Sequence, residues 1–266
     1  MKVGIAGLGV IGKRVAQALA PGLDCFVLEA VTSGDRLKAE RSLQDMDLAC
    51  DVVSAAELAR RCDVVVECAP KAAFREILTP CLEAGRLVIT VSAAPLIANM
   101  DVVELARSRG GRIILATGAL LGLDAVRAAA EGAIHTVTMT TRKPPRSLLG
   151  APYLKEHGID VASLHAPLKV FEGTARDGAA GFPANVNVAA ALALAGIGPD
   201  RTQLTIWADP GLERNTHTIR VDADSARFEM TIENIPSLEN PGTGRITALS
   251  IIAALRSLAG PLKIGT

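Results

Sequence analysis

The sequence predicts an α/β protein of two domains, in which a doubly wound parallel sheet is followed by an α+β domain with a mixed or antiparallel sheet. Three observations predict it. Residues 2–6 (KVGIA) are a short apolar run leading into GLGVIG and then KRVAQALA, whose apolar residues fall at helical spacing. The same alternation of apolar run and helical segment continues to about residue 118, which argues a parallel sheet covered on both faces. From residue 134 the period changes to two, as it does in half-exposed strands.

Taken in order, CFVLEAVT reads as the second strand, SAAELARR as a helix start, CDVVVECA as a strand and AAFREILTPCLEAG as a helix closed by glycine. RLVITVS, DVVELARSRG and GRIILAT continue the pattern, so residues 1–120 are assigned to the first domain and 121–266 to the second. In the second, IHTVTMTTR, QLTIWADP, THTIRVDAD and SARFEMTIEN alternate, and the last two form an antiparallel hairpin across a polar turn at 222–225. A final helix over 243–259 carries Ala248, Ile251, Ile252, Leu255 and Ala259 along one stripe and is expected to pack back against the first domain.

With 49% hydrophobic residues over 266 positions, the chain buries a sizeable core and is not disordered. Lys plus Arg and Asp plus Glu balance at 28 each, so no overall field favours a nucleic acid or an anionic membrane surface. The start lacks the zones of a signal peptide, and the alanine-rich run at 186–197 is too short to span a bilayer, so a soluble cytoplasmic protein is expected. The five cysteines, Cys25, Cys50, Cys62, Cys68 and Cys81, show no paired zinc spacing; they read as core thiols, and no metal site is expected.

Gly7, Gly9 and Gly12 make a GxGxxG directly after a strand and at the mouth of a helix, the Rossmann-type context that gives this common pattern its meaning. Gly7 permits the tight turn, Gly9 lets backbone approach a pyrophosphate, and Gly12 lets helix and strand pack closely. Val10 and Ile11 open the helix whose N–H groups face the phosphates. Ala69, ending the CDVVVECA strand, is placed in the same site. The ribose-binding acid expected about 20 positions on is replaced by Thr32 or Ser33, which cannot repel a 2′-phosphate. Arg36, with Lys38 behind it, can pair with that phosphate, so NADP is expected alongside NAD. The alternative is that Asp35 takes the ribose after a short bulge.

Of the four histidines, His135, His157, His165 and His217, the last begins an alternating strand beside Asn215 and Thr216, as a strand end facing a cleft does. An imidazole there suits a proton shuttle or water activator. Asn187 starts an alanine-rich helix, where it is either a first-turn residue or a partner for a nicotinamide carboxamide. Arg142 and Lys143 end a strand beside two prolines, either as clamps for a substrate carboxylate or as solvated surface charge.

GLGVIG, TGALLGLDAV at 117–126, TTRKPP, FEGTARDGAAGFPANVNVAAALALAG, the RNTH segment and IENIPSLENPGTG together resemble the L-aspartate dehydrogenases of bacteria and archaea, in order and spacing over nearly the whole chain. The resemblance implies NAD(P)-dependent oxidative deamination of L-aspartate through iminoaspartate to oxaloacetate and ammonia, and the reverse amination. It implies that His217 is the catalytic histidine, that Asn187 and the backbone N–H of Leu121 contact the dinucleotide, and that the second domain carries catalysis and homodimer contacts. Because aspartate brings two carboxylates, a site for it needs cationic or N–H donors, and Lys143 is expected to help hold one of them. The family usually has alanine or glycine where Leu121 stands, and often an acid ending the second strand, which is absent here. A link to NAD biosynthesis is a further implication. The ENPGT segment, with Asn240, Pro241 and Thr243, either lines the cleft or stops a strand and caps the last helix. The rival readings are a dihydrodipicolinate- or homoserine-type reductase of the same design, and a non-catalytic NAD(P)H sensor.

Overall fold

The computed structural model describes residues 1–183, 186–240 and 242–265. Contacts divide them into two compact units, Met1–Gly118 with Thr247–Ile264, and Ala119–Ile246 with Gly265.

In the first unit the chain runs β1 (Lys2–Ala6), α1 (Val10–Leu19), β2 (Val27–Thr32), α2 (Arg36–Asp45), β3 (Asp51–Val52), α3 (Ala55–Arg61), β4 (Val64–Glu67), α4 (Phe74–Glu83), β5 (Leu87–Thr90), α5 (Ala93–Ala98), α6 (Asp101–Arg109) and β6 (Arg112–Leu115). The six strands are ordered β3-β2-β1-β4-β5-β6, all parallel, as expected of a doubly wound sheet. The order reverses between β1 and β4, which opens a crevice at their carboxyl ends. Burial on both faces explains why β4 reads VVVE with all four residues buried. Local signals set the helix ends: Ser54 caps α3 by accepting from the Glu57 N–H at 3.2 Å, and α6 stops at Gly110 in the left-handed conformation. The polar helix α2 lacks an apolar stripe and escapes sequence reading; its start is fixed by the Asp35 carboxylate, which accepts from the Lys38 N–H at 3.0 Å.

The second unit runs α7 (Leu123–Ala130), β7 (Ile134–Lys143), α8 (Pro152–Glu156), β8 (Leu168–Thr174), α9 (Ala175–Gly181), α10 (Asn187–Ala195), β9 (Gln203–Ala208), β10 (Asn215–Ala223) and β11 (Arg227–Asn234). Its five strands are ordered β11-β10-β7-β9-β8, with only the β7–β9 pair parallel, so the sheet is mixed. Alternation gives β7 and β10 one buried face each: Val137, Met139, Thr141 and Lys143 on β7, and His217, Ile219, Val221 and Ala223 on β10. The small residues of α10 pack against α7 and α9, and at its end a Cβ on Gly196 would lie 3.2 Å from Val126 Cγ1.

The last helix, α11 (Ile246–Ala259), returns to the first unit, where Ala248, Ile251 and Leu255 join the core formed by Val3, Ile5, Val15 and Leu19. It begins three residues later than sequence reading places it because the preceding backbone is committed elsewhere. The Ser237 N–H donates to Thr243 O at 2.8 Å, Thr243 N–H to Asn240 O at 2.9 Å and Arg245 N–H to Ile235 O at 2.9 Å. Asn240 thus makes a turn, its Oδ1 accepting from the Gly242 N–H at 3.0 Å, while Pro241 lies outside the described residues. Two further expectations are corrected. Cys62 and Cys81 are buried, but Cys25 is exposed, because it sits in the bend before β2. Lys143 is not a solvated surface charge: its position on the inner face of β7 leaves it 5% exposed. No described helix is long and apolar enough to cross a membrane.

Candidate active site

In the first unit the glycine turn has the shape that an anionic dinucleotide needs. Gly7 adopts φ +98°, and a Cβ there would strike the Ala69 backbone at 2.8 Å, so Ala69 packs directly against the turn. A Cβ on Gly12 would lie 1.9 Å from Gly7 O, which forbids any side chain where α1 meets the turn. Over Gly9, by contrast, a Cβ would meet nothing within 4 Å, so the backbone faces open space. The first turn of α1, which Val10 and Ile11 begin, has no acidic residue and no side-chain cap. Its N–H groups and partial positive charge therefore suit a pyrophosphate, and these residues fit an NAD(P) group.

The turn is braced by groups that the sequence did not single out. The Cys68 thiol donates to Gly7 O at 3.1 Å. Glu67, wholly buried at the end of β4, accepts from the Ala69 N–H at 3.0 Å and from the Thr90 hydroxyl on β5. Burial pushes the Glu67 carboxyl up from its ordinary range, against the pull of its hydrogen bonds from Thr90, Ser92 and Ala69. A lone glutamate closing an all-apolar strand was the available signal for it. At the end of β2, Ser33 Oγ accepts from the Asp35 N–H at 3.3 Å, and Asp35 is engaged as the cap of α2. Arg36 bonds Glu40 at 2.8 Å with its side chain 71% exposed.

In the second unit the strand register brings together residues that the sequence scatters. His217 on β10 stands opposite Thr141 on β7, and its Nδ1 lies 3.0 Å from Thr141 Oγ1. It is 2% exposed. Lys143 lies on the same face of β7, two residues beyond Thr141, and its carbonyl accepts from the Asp209 N–H at 2.8 Å. Burial, reinforced by the nearby Lys143 charge, pushes the His217 imidazole down to about 3. Burial pushes the Lys143 ammonium down to about 8. Both effects favour the neutral imidazole at physiological pH, with Nδ1 engaged by Thr141. Lys143 is near the point where it can gain or lose a proton, as a functional lysine in a buried site does.

The other candidates are placed differently. Arg142 is on the opposite face, paired to Asp209 Oδ2 at 2.7 Å and lying over Trp207, so its charge is already matched. Asn187 is the first residue of α10 and Val186 occupies the capping position, which makes Asn187 a first-turn residue rather than a cap. Leu121 precedes Gly122, whose left-handed conformation opens α7. His135 and His165 are exposed, and exposed His157 stacks on Tyr153 with ring centroids 3.9 Å apart. Thr141 and Asn234 had no sequence signal, because their meaning arises only from strand register. Among the described residues, no group of three or more His, Cys, Asp or Glu could hold a metal ion.

Residues 124–258 match the family profile "Aspartate dehydrogenase, C-terminal", and residues 7–116 match "Homoserine dehydrogenase, NAD binding domain". The chain is 53% identical over 266 residues to an L-aspartate dehydrogenase of Bradyrhizobium diazoefficiens, covering all of this chain and 94% of the relative. It is 50% identical to L-aspartate dehydrogenase 3 of Bordetella bronchiseptica, covering 99% and 97%. A crystal structure of aspartate dehydrogenase from Thermotoga maritima aligns over 100% of this chain and 99% of that one, with a TM-score of 0.77 and 26% identity.

The buried ammonium has a consequence for stability. Between about 8 and its ordinary value of 10.5, Lys143 binds more protons in the unfolded chain than in the folded one, so stability rises with pH across that window. Below about 8 the full penalty applies. Lys143→Met is expected to remove that pH dependence, so that its stability stays level between about pH 8 and 10.5 while that of the parent rises. Urea denaturation at both ends of the window checks this; a variant that keeps the rise would contradict it.

Proposed function

The chain belongs to the L-aspartate dehydrogenase family, and on that premise we propose how its residues carry out NAD(P)-dependent oxidative deamination of L-aspartate to oxaloacetate and ammonia. The observation that carries the reading is the pairing of neutral His217 with Lys143 on one buried face of the mixed sheet. A nicotinamide dinucleotide held at Gly7, Gly9 and Gly12 would supply the acceptor for the hydride from Cα. The chain supplies the rest: it orients L-aspartate, leaves its amine neutral and handles water.

L-aspartate brings two carboxylates, and Lys143 is the cation on this face that holds one of them. Its depressed pKa belongs to the protein without substrate; a carboxylate beside it favours the charged form and restores the ammonium. The same negative charge offsets the repulsion that Lys143 exerts on a protonated His217. His217, fixed through Nδ1 by Thr141, presents Nε2 to the amine proton or to the water that attacks the imine. Orientation by two fixed groups also removes the entropy of bringing them together during the reaction.

For the dinucleotide, Gly7, Gly9, Gly12 and the N–H groups at Val10 and Ile11 take the pyrophosphate, with Ala69 closing the turn. The Leu121 N–H and Asn187 serve the nicotinamide end. The site takes NADP as well as NAD. Asp35 is committed to capping α2, which favours Ser33 and Arg36 as the ribose-side residues over the Asp35 alternative. An exposed ion pair such as Arg36–Glu40 contributes little, so the guanidinium is readily redirected to a 2′-phosphate.

Purified protein with NAD or NADP is expected to generate near-ultraviolet NAD(P)H absorbance with L-aspartate, and none with D-aspartate, L-glutamate or homoserine. His217→Ala should lower kcat by about 10²–10⁴-fold while NAD(P)H still binds. Nearly full turnover in that variant would remove the histidine from the mechanism. Arg36→Ala should raise the KM for NADP about tenfold or more, the loss of a charge-assisted pair, and leave the KM for NAD within about twofold. Equal effects on both dinucleotides would contradict the 2′-phosphate assignment.

A further inference from the structure

Two buried side-chain oxygens lack any hydrogen-bond partner among the described residues: Oδ1 of Asn215 and Oδ1 of Asn234. Buried polar atoms are nearly always paired, so two orphans of one kind need a cause. They are not scattered. Asn215 on β10 stands directly opposite Asn234 on β11, which brings directly opposed side chains close together. Asn215 is two residues before His217 and therefore on the same face of β10. The Thr216–Arg142 pair puts Asn215 level with Lys143 on β7. One row across the inner face is thus Lys143, Asn215, Asn234, and the next row in is Thr141, His217, Ile232.

The orientation of one carboxamide is fixed by chemistry. Asn234 Nδ2 donates to Ala119 O at 3.0 Å, so its other atom must be the acceptor oxygen. Asn234 is 4% exposed, and a Cβ on Gly244 would come within 3.1 Å of that oxygen, so backbone closes in beside it. Both oxygens are buried in the row that carries Lys143, one row from His217, and would become acceptors for a ligand that enters there.

Resting on the reading of this face as the L-aspartate site, we propose that Asn215 and Asn234 form the subsite for the substrate nitrogen and select an amino acid over other dicarboxylates. A neutral amine carries two N–H donors for the two oxygens and keeps its lone pair free. When hydride leaves Cα with its bonding electrons for the oxidised nicotinamide, that lone pair becomes the second C–N bond. The resulting iminium still has two N–H groups and now a positive charge, which the two carbonyl dipoles stabilise more strongly than they do the amine. Its surplus proton passes to water or His217 as the imine is released or hydrolysed. A hydroxy acid has one O–H and leaves one oxygen orphaned; succinate leaves both. In the reverse direction the same oxygens receive ammonia.

The test uses Asn215→Leu, with Asn215→Ser as a second variant should the first fail to fold. Asn234 is left intact because it also ties the Ala119 loop. In the amination of oxaloacetate, the KM for ammonia should rise tenfold or more, while the inhibition constant of succinate and the Kd of NADPH stay within twofold. Calorimetry should show L-aspartate binding more tightly than succinate to the wild-type protein and losing that preference in the variant. Unchanged ammonia KM and unchanged preference, or an equal loss for aspartate and succinate, would overturn the assignment. A wild-type protein that binds L-aspartate in preference to succinate but never reduces NAD(P) with it would instead overturn the dehydrogenase reading and leave the subsite standing.

Discussion

His217 and Lys143 are two basic side chains held out of water on one face of a sheet, and the second unit is arranged around that placement. Burying a charge without compensation is expensive, so both groups are driven toward their neutral forms. Strand register holds both residues in place: Thr141 meets the His217 ring, and the Lys143 carbonyl accepts from the Asp209 N–H.

The first unit solves a separate problem with almost no charged side chains. The turn at Gly7–Gly12 presents backbone N–H groups and empty space over Gly9, and it is packed by the Ala69 backbone and braced by the Cys68 thiol and buried Glu67. Glu67 links β4 to β5 through Thr90 at the carboxyl ends of the strands, where the strand order opens the crevice. Burial pushes this carboxyl up from its ordinary range, and its hydrogen bonds to Thr90, Ser92 and Ala69 oppose that shift.

Legibility in the sequence followed the range of the interactions. The glycine turn, the apolar strands of the parallel sheet and the period-two strands of the mixed sheet are local patterns, and they read correctly. Elements without a local signature did not: polar α2, the two-residue β3, the bulged β8, and the true start of α11, which is set by the Ser237 N–H donating to Thr243 O and the Arg245 N–H donating to Ile235 O across the preceding turn. His217 could be found as a strand-end histidine and by resemblance, but its partner Thr141 could not, since 76 residues separate them. The sequence left Lys143 between a clamp and a surface charge; only the facing of β7 decides for burial. Asn215 and Asn234 matter because two strands pair in one register, a property that no single segment contains.

The central claim is that His217 is held neutral by burial and by Lys143 before substrate arrives. Nitrogen-15 NMR of the imidazole in the dinucleotide-free protein, titrated between about pH 5 and 9 across the ordinary histidine range, tests it most directly. The account predicts ring shifts of a neutral imidazole that do not change over that range. Protonation with a midpoint near the ordinary value of 6.5 would contradict it, and with it the arrangement of charge on which the proposed chemistry depends.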